Sequence, residues 1–244
     1  MKAFTAFGGT GSGLRWAQPS SPVTVSAVVP AYNEEGKVGA TVRSLYQAGG
    51  ITEVVVVDDG STDRTAEEAE QVGARVVRLT RNLGKGRAVW EGVKRVTGEV
   101  ILLVDADLVE VSALVSKLLE PVMEGKAEMT VASFPAGTGG GLGLAVTLAR
   151  WGIWALTGWS PKAPLSGQRA VVRWLVEEGG PVHGFGLEVG LTVKALRRGY
   201  RVLEIEAEMP VDHAVTGRTW SGFVHRARQF LDIAAVLARL AVAR

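Results

Sequence analysis

The chain has 244 residues, of which 47% are hydrophobic and 21% are charged, with 27 Lys and Arg against 25 Asp and Glu. This length suits one large domain or two small ones, and the near balance of charge excludes a disordered chain and a broadly basic nucleic-acid binder. The sequence has no cysteine, which excludes disulfides, thiolate metal sites and thiol nucleophiles and is consistent with a reducing cytoplasm.

Residues 1–22 precede the first predicted strand and contain four closely spaced glycines. They lack the apolar core of a secretory signal. A phosphate-binding loop would follow a strand and continue into Gly-Lys-Ser/Thr, and the segment has neither feature. We therefore predict a flexible N-terminal arm over residues 1–22.

From residue 23 onwards, short apolar or β-branched runs alternate with helical patterns. Strands are predicted over residues 23–30, 52–58, 75–79 and 99–104, with helices ending near Tyr46 and covering 66–72 and 86–96. Such alternation is typical of parallel βαβ units. The first half is therefore predicted to be a three-layer α/β sheet.

Beyond Asp107 the alternation is less regular. Helices are predicted over residues 111–123, 187–198 and 219–242, and strands over 128–134 and 200–209. An apolar stretch over 142–159 has glycines and a central Arg150, which argue against a membrane span. Because nothing resembles a linker, we predict one domain over 23–244 whose second half, 109–244, covers the sheet.

Polar and acidic residues follow three of the predicted strands. They occupy residues 30–35, residues 58–61, and the Asp105-Ala106-Asp107 segment. Ligands of open parallel sheets bind beyond the carboxyl ends of the strands, so the three loops predict one site. Two carboxylates at 105 and 107 would repel each other without a cation, and a hard divalent ion bound by carboxylate and phosphate oxygens removes the repulsion. The alternative is a pair of loop acids, one of which caps the next helix.

A further glycine-rich segment, NLGKGR, covers residues 82–87. It is not a Walker A loop, because Arg87 stands where Ser or Thr is required. Small residues around Lys85 at a helix start would still let a phosphate approach the backbone and the ammonium group. The alternative is a turn whose lysine is solvated.

Four segments together resemble the family 2 glycosyltransferases with the GT-A fold: VVPAYNEE (28–35), VVVDDGSTD (55–63), NLGKGRAVWEG (82–92) and ILLVDADL (101–108). In the second half, PLSGQRA (164–170), FGLEVG (185–190) and Asp212-His213 resemble both the glucosyl-3-phosphoglycerate synthases and the polyprenyl-phosphate sugar synthases. The resemblance implies a single-domain, Rossmann-like three-layer sandwich with a mostly parallel sheet. Its nucleotide-sugar-binding half would be 23–108 and its acceptor half 109–244, ending in an amphipathic helix.

The resemblance also implies roles for individual residues on the donor side. Asp59 would contact the base or ribose, Lys85 would lie near the nucleoside, and Asp105 would approach the ribose or sugar. Arg218 would close over the diphosphate, or it is a surface charge. The predicted nucleotide-sugar-binding residues are Pro30, Ala31, Tyr32, Glu34, Asp59, Lys85, Asp105, Ala106 and Arg218.

On the metal and acceptor side, Asp107 would ligate Mn²⁺ or Mg²⁺ on the diphosphate and His213 would complete the metal site. A structural His213 is the alternative. Glu188 is the candidate base for a hydroxyl acceptor, or a helix-start carboxylate facing the helix dipole. Asp107 and Glu188 are the predicted catalytic residues, and the predicted acceptor residues are Ser166, Gly167, Arg169 and Glu188.

The implied activity is a metal-dependent, non-processive transfer of a hexosyl group from a nucleoside diphosphate sugar. UDP-glucose is the favoured donor, and the acceptor is a phosphorylated small molecule or a lipid phosphate. Gln168 and Arg173-Trp174 are too widely spaced for the Gln-x-x-Arg-Trp motif of processive synthases. The alternatives are a sugar-phosphate nucleotidyltransferase, although the loop after the first strand is acidic, and a non-catalytic nucleotide-sugar-binding module.

Two segments bear on a lipid acceptor. Trp151, Trp154 and Trp159 suit a bilayer interface or a protein core equally well. Residues 217–244 contain five arginines and one acid, and a basic amphipathic helix can rest on anionic lipid. A helix packed on its own domain or on a second copy in a homodimer is favoured. The expected location is the cytoplasm, with peripheral contact at the inner membrane face left open.

Overall fold

The computed structural model describes residues 23–134, 143–180, 186–207 and 220–242, except for the side chains of 179 and 220–228. Seven strands in these ranges form one sheet. They are β1 (Val25–Ala31), β2 (Glu53–Asp58), β3 (Arg75–Arg78), β4 (Val100–Leu103), β5 (Met129–Ser133), β6 (Arg169–Val172) and β7 (Val202–Glu206).

Helices connect these strands and cover the sheet. Those in the described ranges are α1 (Val38–Ala48), α2 (Thr65–Gln71), α3 (Lys85–Val93), α4 (Ser112–Met123), α5 (Leu144–Thr157), α6 (Arg173–Gly179), α7 (Leu187–Arg197) and α8 (Trp220–Val242).

The strands are ordered β3-β2-β1-β4-β6-β5-β7 across the sheet. β1 pairs in parallel with β2 and β4, and β2 pairs in parallel with β3. β6 runs antiparallel to its neighbours β4 and β5, whereas β5 and β7 pair in parallel. The chain builds β2 and β3 on one side of β1 and then returns to place β4 on the other side. The strand order therefore reverses between β1 and β4, and ligands of such sheets bind at the carboxyl ends beside this reversal.

The centre of the sheet is covered on both faces. Val54, Val55, Val56 and Val57 are consecutive in β2, and each is 1% exposed or less. Successive strand residues point to opposite faces, so burial of all four requires a layer on each side. α3 lies directly on β1 and β2 at Gly92, where any side chain would collide with Val28. The three-layer, mostly parallel α/β fold predicted from the sequence is confirmed.

All six strands and all the helices predicted from the sequence are present, with their ends shifted by a few residues. Three elements were not predicted: α5, β6 and α6. β6 is short and begins with a charged Arg169, so its pattern resembles a loop. The second half, which was predicted to cover the sheet, also extends it, since β5, β6 and β7 are part of the same sheet.

The terminal helix packs on its own domain. α8 buries Ile233, Leu237 and Leu240, and Leu237 occupies the space beside Gly152 of α5 that a larger residue would fill. This packing agrees with the favoured interpretation of that helix. Among the helices described, none has the length and apolar character that crossing a membrane requires. The predicted arm over residues 1–22 lies outside the described residues.

Candidate active site

The loop that follows β1 is joined to the loop that follows β2. Asn33 has a left-handed backbone conformation with a φ of 55°, and its side-chain oxygen accepts the N–H of Thr62 at 2.9 Å. The N–H of Glu34 donates to Oγ1 of Thr65 at 2.8 Å. These contacts hold the predicted nucleotide-binding loop against the carboxyl end of β2.

The four predicted donor-binding residues of this loop differ in their exposure. Ala31 is buried, Pro30 is half-buried, and Tyr32 exposes 44% of its surface. Glu34 forms an ion pair with Lys37, with 3.0 Å between Oε2 and Nζ. Tyr32 is therefore the most accessible member of this set, and Pro30 and Glu34 are partly accessible to solvent and to a ligand.

Asp59 shapes the segment that leads into α3. Its Oδ1 accepts the N–H of Leu83 and its Oδ2 accepts the N–H of Gly84, both at 2.7 Å. Burial raises the pKa of the Asp59 carboxyl above its usual range, although the two N–H groups act in the opposite direction. Since both oxygens are occupied, Asp59 acts on the site by placing Lys85, and its predicted contact with the base or ribose stays a prediction.

Lys85, Asp105 and Glu188 come together although they lie on three separate elements. Lys85 begins α3, Asp105 follows β4, and Glu188 is in the first turn of α7. The Lys85 Nζ lies 2.7 Å from Oδ1 of Asp105 and 3.0 Å from Oε1 of Glu188. One ammonium group therefore holds two carboxylates that would otherwise repel each other.

The environment of Lys85 keeps it charged. Burial alone would lower the pKa of its ammonium group, but attraction and hydrogen bonding from Asp105 and Glu188 outweigh this, and the pKa is raised above its ordinary value. The side chain of Glu188 is 7% exposed, against 26% for Lys85 and 25% for Asp105. The cluster thus presents Lys85 and Asp105 to solvent while Glu188 lies deeper.

Gln168 is a site residue for which the sequence suggested no role. Its Nε2 donates to Oδ2 of Asp105 at 3.0 Å, and its Oε1 accepts the hydroxyl of Ser166 at 3.2 Å. The residue is 1% exposed. No local pattern could have revealed the contact, because Asp105 lies 63 residues away in the chain.

Arg169, predicted to contact the acceptor, is instead a buried support. It is 1% exposed and donates to the carbonyls of Ser166 at 2.8 Å and Glu188 at 3.1 Å, and to Oγ1 of Thr192 at 2.8 Å. Burial lowers the pKa of its guanidinium to about 10. Arg169 therefore ties the predicted acceptor loop, with Ser166 and Gly167, to the first turn of α7. Thr192 is a second residue that sequence reasoning missed.

The Asp105-Ala106-Asp107 segment is held by α1. Oγ1 of Thr41 donates to the carbonyl of Ala106 at 2.8 Å, and Ala106 itself is buried. Asp107 is half-buried at the same edge. The pKa of Lys37 is raised chiefly by its hydrogen bond to Glu34, and the charge of Asp107 adds to this effect. Lys85 and Gln168 engage the two oxygens of Asp105, and the assignment of the metal ion to Asp107 stays a prediction.

A divalent ion at this edge would be held by one protein carboxylate together with oxygens of a bound diphosphate, the arrangement usual for Mg²⁺. Within the ranges described, no group of three or more His, Asp or Glu side chains could enclose a metal on its own. His213, the second predicted metal ligand, and Arg218, the predicted diphosphate contact, both lie outside the described residues.

The chain is similar to several known proteins. The sequence profile of Glycosyl transferase family 2 matches residues 26–164. Glucosyl-3-phosphoglycerate synthase of Mycolicibacterium paratuberculosis is 32% identical over 202 residues, covering 72% of this chain and 60% of that protein. Dolichol-phosphate mannosyltransferase of Pyrococcus furiosus is 36% identical over 107 residues, covering 41% of this chain and 30% of that protein. The chain thus spans less than two thirds of the length of these curated relatives.

The fold is also similar to a solved structure. Glucosyl-3-phosphoglycerate synthase of Mycobacterium tuberculosis, in complex with Mn²⁺, UDP-glucose and phosphoglyceric acid, superposes with a TM-score of 0.74 at 25% identity, over 91% of this chain and 86% of that one. This similarity confirms the GT-A architecture implied by the sequence motifs. Since the family profile also covers more than half of the chain, the chain belongs to glycosyl transferase family 2.

Proposed function

We propose that the chain catalyses non-processive transfer of a hexosyl group from a nucleoside diphosphate sugar, with UDP-glucose favoured, to a phosphorylated small-molecule acceptor. The observation that carries the proposal is the position of Lys85 between Asp105 and Glu188, at the edge where β1 and β4 end. The similar synthase of Mycobacterium tuberculosis was solved with UDP-glucose and phosphoglyceric acid bound, which supports this choice of substrates.

On the donor side, the nucleotide lies along the joined loops after β1 and β2. Tyr32 is exposed there and Glu34 is half-buried, and Asp59 holds the backbone that leads into Lys85. The sugar then reaches Asp105 and Lys85. Lys85 retains its charge and holds Asp105 and Glu188 in place around the sugar, while stabilisation of the negative charge on the leaving diphosphate is assigned to the bound cation.

Asp107 would hold Mn²⁺ or Mg²⁺ together with oxygens of the diphosphate, with His213 as a further predicted ligand. The bound ion supplies Lewis-acid stabilisation of the leaving group. The protein's own part is to keep Asp107 at the edge of the sheet, which it does through the Thr41 hydrogen bond to the neighbouring Ala106.

On the acceptor side, Glu188 is the proposed base. A hydroxyl acceptor must lose its proton as it attacks, and a carboxylate within hydrogen-bond reach can take it. An acceptor that attacks through a phosphate oxygen is already ionised, with a second pKa of about 6, and needs no base. Ser166 and Gly167 line this edge, and Arg169 supports it by fixing both the loop and the start of α7.

The test is a turnover assay with UDP-glucose and GDP-mannose as donors, and 3-phosphoglycerate or glycerol 3-phosphate as acceptors, each with Mn²⁺ or EDTA. The proposal expects nucleoside diphosphate release and a glycosylated acceptor, detected by mass spectrometry, with one donor class. Asp107→Ala should abolish turnover without unfolding the protein. Donor binding without turnover would favour a non-catalytic module, and pyrophosphate release from UTP and a sugar phosphate would favour a nucleotidyltransferase.

A lipid-phosphate acceptor is the second candidate, favoured by an apolar surface on two adjacent helices. α5 exposes Leu144 by 79%, Trp151 by 60% and Trp154 by 53%, and α8 exposes Leu231 by 65% and Val242 by 86%. Exposed large apolar side chains of this kind mark an interaction surface where they lie together. Two of the curated relatives, the dolichol-phosphate and undecaprenyl-phosphate transferases, have polyprenyl phosphates in their names.

In this second proposal the patch rests on an anionic membrane, because residues 144–162 contain Arg150 and Lys162 and no acid, and tryptophan favours the bilayer interface. Either acceptor would be used in the cytoplasm, at the inner membrane face in the lipid case. Co-sedimentation with phosphatidylglycerol vesicles, lost in Trp151→Ser/Trp154→Ser, would support it. A homodimer in solution that the same variant dissociates, with no vesicle binding, would contradict it.

A further inference from the structure

Both oxygens of the Asp105 carboxylate contact a side chain. Its Oδ1 lies 2.7 Å from the Lys85 ammonium nitrogen, and its Oδ2 accepts a hydrogen bond from Nε2 of Gln168 at 3.0 Å. With both oxygens engaged, the carboxylate has one orientation. Gln168 is a neutral partner, so its hydrogen bond orients the Asp105 carboxylate without neutralising its charge.

The Gln168 amide is itself fixed. The side chain is 1% exposed, and its Oε1 accepts the hydroxyl of Ser166 at 3.2 Å. If the amide were turned around, its oxygen would face a carboxylate oxygen, and two acceptors would meet in a buried place, which is costly. Asp105 can only accept, so the NH₂ end of the Gln168 amide must face it. The amide oxygen is then left to accept the Ser166 hydroxyl.

The contact reaches further than Asp105. Lys85, which Asp105 holds, also bonds Glu188 at 3.0 Å, so the chain of contacts runs from β6 through the end of β4 and the start of α3 to the first turn of α7. Displacement of Asp105 would move Lys85 and leave Glu188 less well held. Buried polar networks transmit such displacements because each member depends on the others.

We infer that Gln168 is a positioning residue for the transfer reaction: it orients the Asp105 carboxylate so that Lys85 is held between Asp105 and Glu188. The inference rests on the proposed function for its kinetic readout only. Gln168 acts through Asp105, and we place neither donor nor acceptor on it.

The first experiment replaces Gln168 by Met, which has similar length and no hydrogen-bonding hydrogen. A hydrogen bond to a charged group corresponds to about a 10- to 100-fold effect, so Gln168→Met should lower kcat by about that factor while the acceptor KM stays within about twofold. Gln168→Glu, which places a second carboxylate against Asp105, should lower kcat further. A kcat unchanged in both variants would overturn the inference.

The matched control is Thr130→Val. Thr130 is also fully buried in the sheet, and its hydroxyl donates to the carbonyl of Leu118 at 2.7 Å, away from Asp105. It should lose thermal stability to a degree comparable with Gln168→Met but keep its kcat. Equal loss of kcat in the two variants would mean that Gln168 matters only to the fold, and the inference would fail.

A double-mutant cycle separates action through Asp105 from general damage. Donor dissociation constants are measured by calorimetry for the wild type, Gln168→Met, Asp105→Ala and the double variant, so the readout does not need turnover. The inference expects Gln168→Met to weaken donor binding in the wild type and to change it less than about twofold when Asp105 is already Ala. An equal loss in both backgrounds would overturn it. If the wild type binds no nucleoside diphosphate sugar, the proposed function fails. The coupling between Gln168 and Asp105 can then still be measured from the unfolding free energies of the same four proteins.

Discussion

Gly167 lies so close to Lys85 that the position has no room for a side chain. A Cβ atom on Gly167 would collide with the Lys85 ammonium nitrogen and would lie 2.5 Å from Oδ2 of Asp105. The backbone of the acceptor loop thus forms one wall of the charged cluster. Any group added at this position must displace Lys85 or Asp105, or move the loop.

We expect Gly167→Ala to lower kcat/KM by about 10- to 100-fold, since displacements of about 1 Å in an active site have effects of this size. Initial rates and thermal unfolding of the purified variant test this. Gly143→Ala is the control, because among the residues that the structure describes its added carbon would meet nothing closer than 3.9 Å. If the two alanine variants are equally active, the close approach has no functional consequence.

Removal of the Lys85 charge should destabilise the protein as well as inactivate it. Lys85→Met leaves Asp105 and Glu188 facing each other without a cation, and breaking such a partly buried pair should lower the free energy of unfolding by about 2 to 3 kcal/mol. Adding Glu188→Gln should restore about 1 kcal/mol or more, because one of the two unpaired charges is then absent. Urea unfolding at neutral pH measures both effects.

Lys126→Met is the control for this pair of variants. Lys126 forms an exposed ion pair with Glu124, and its side chain is 63% exposed, so its removal should leave the unfolding free energy almost unchanged. A double variant that is no more stable than Lys85→Met would show that repulsion between the carboxylates is not the cause.

Asp59→Asn should weaken donor binding. The asparagine amide offers one acceptor where the carboxylate offers two, so one of the N–H groups of Leu83 and Gly84 would face an NH₂ group. We expect about a 10-fold rise in the donor dissociation constant, as for loss of a hydrogen bond to a charged group, with faster amide exchange at both positions. Calorimetry and hydrogen exchange measure these two quantities.

Glu204→Gln is a matched control for Asp59→Asn. Glu204 also bridges two backbone N–H groups, those of Lys162 and Ala163, each at 2.9 Å. Its substitution should leave donor affinity unchanged. A similar loss of affinity in both variants would argue against a specific role of the segment before Lys85.

Glu91 should make stability depend on acid pH. Hydrogen bonds from Lys94 and Arg95 lower the pKa of its carboxyl to about 2, against 4.5 for the ordinary group. The folded state therefore releases this proton more readily than the unfolded state, so the stabilisation is fully present above about pH 4.5 and is lost as the pH falls towards 2. The cations are partly exposed, so solvent screening reduces the contribution to about 1 to 2 kcal/mol.

Glu91→Gln should accordingly be less stable than the wild type by this amount at pH 7, and the difference should shrink steadily below pH 4.5. Urea unfolding from pH 7 to pH 3 measures it. A difference that stays constant over this range would mean that packing, and not charge, is what the substitution removes.

The elements that the sequence predicted are those with a strong local pattern. β2 is a run of valines between turn residues, and β4 is a similar apolar run before Asp105. β6 has no such signal, since Arg169 opens the strand and its charge is satisfied by the carbonyls of Ser166 and Glu188. Local periodicity detects burial of apolar side chains, but it does not detect a charged side chain that the tertiary structure buries.

For the candidate site, the amino-acid sequence alone indicated the loops that carry much of the chemistry, because the carboxyl ends of parallel strands must meet at one edge. Asp105 and Asp107 could be named in this way, whereas the roles of Lys85 and Glu188 came from the resemblance to family 2 glycosyltransferases. Only the tertiary structure decided which of them touch. Lys85 meets Asp105 and Glu188, Gln168 orients Asp105, and Arg169 supports the loop from within, because these contacts join residues far apart in the chain through the packing of β4, β6, α3 and α7.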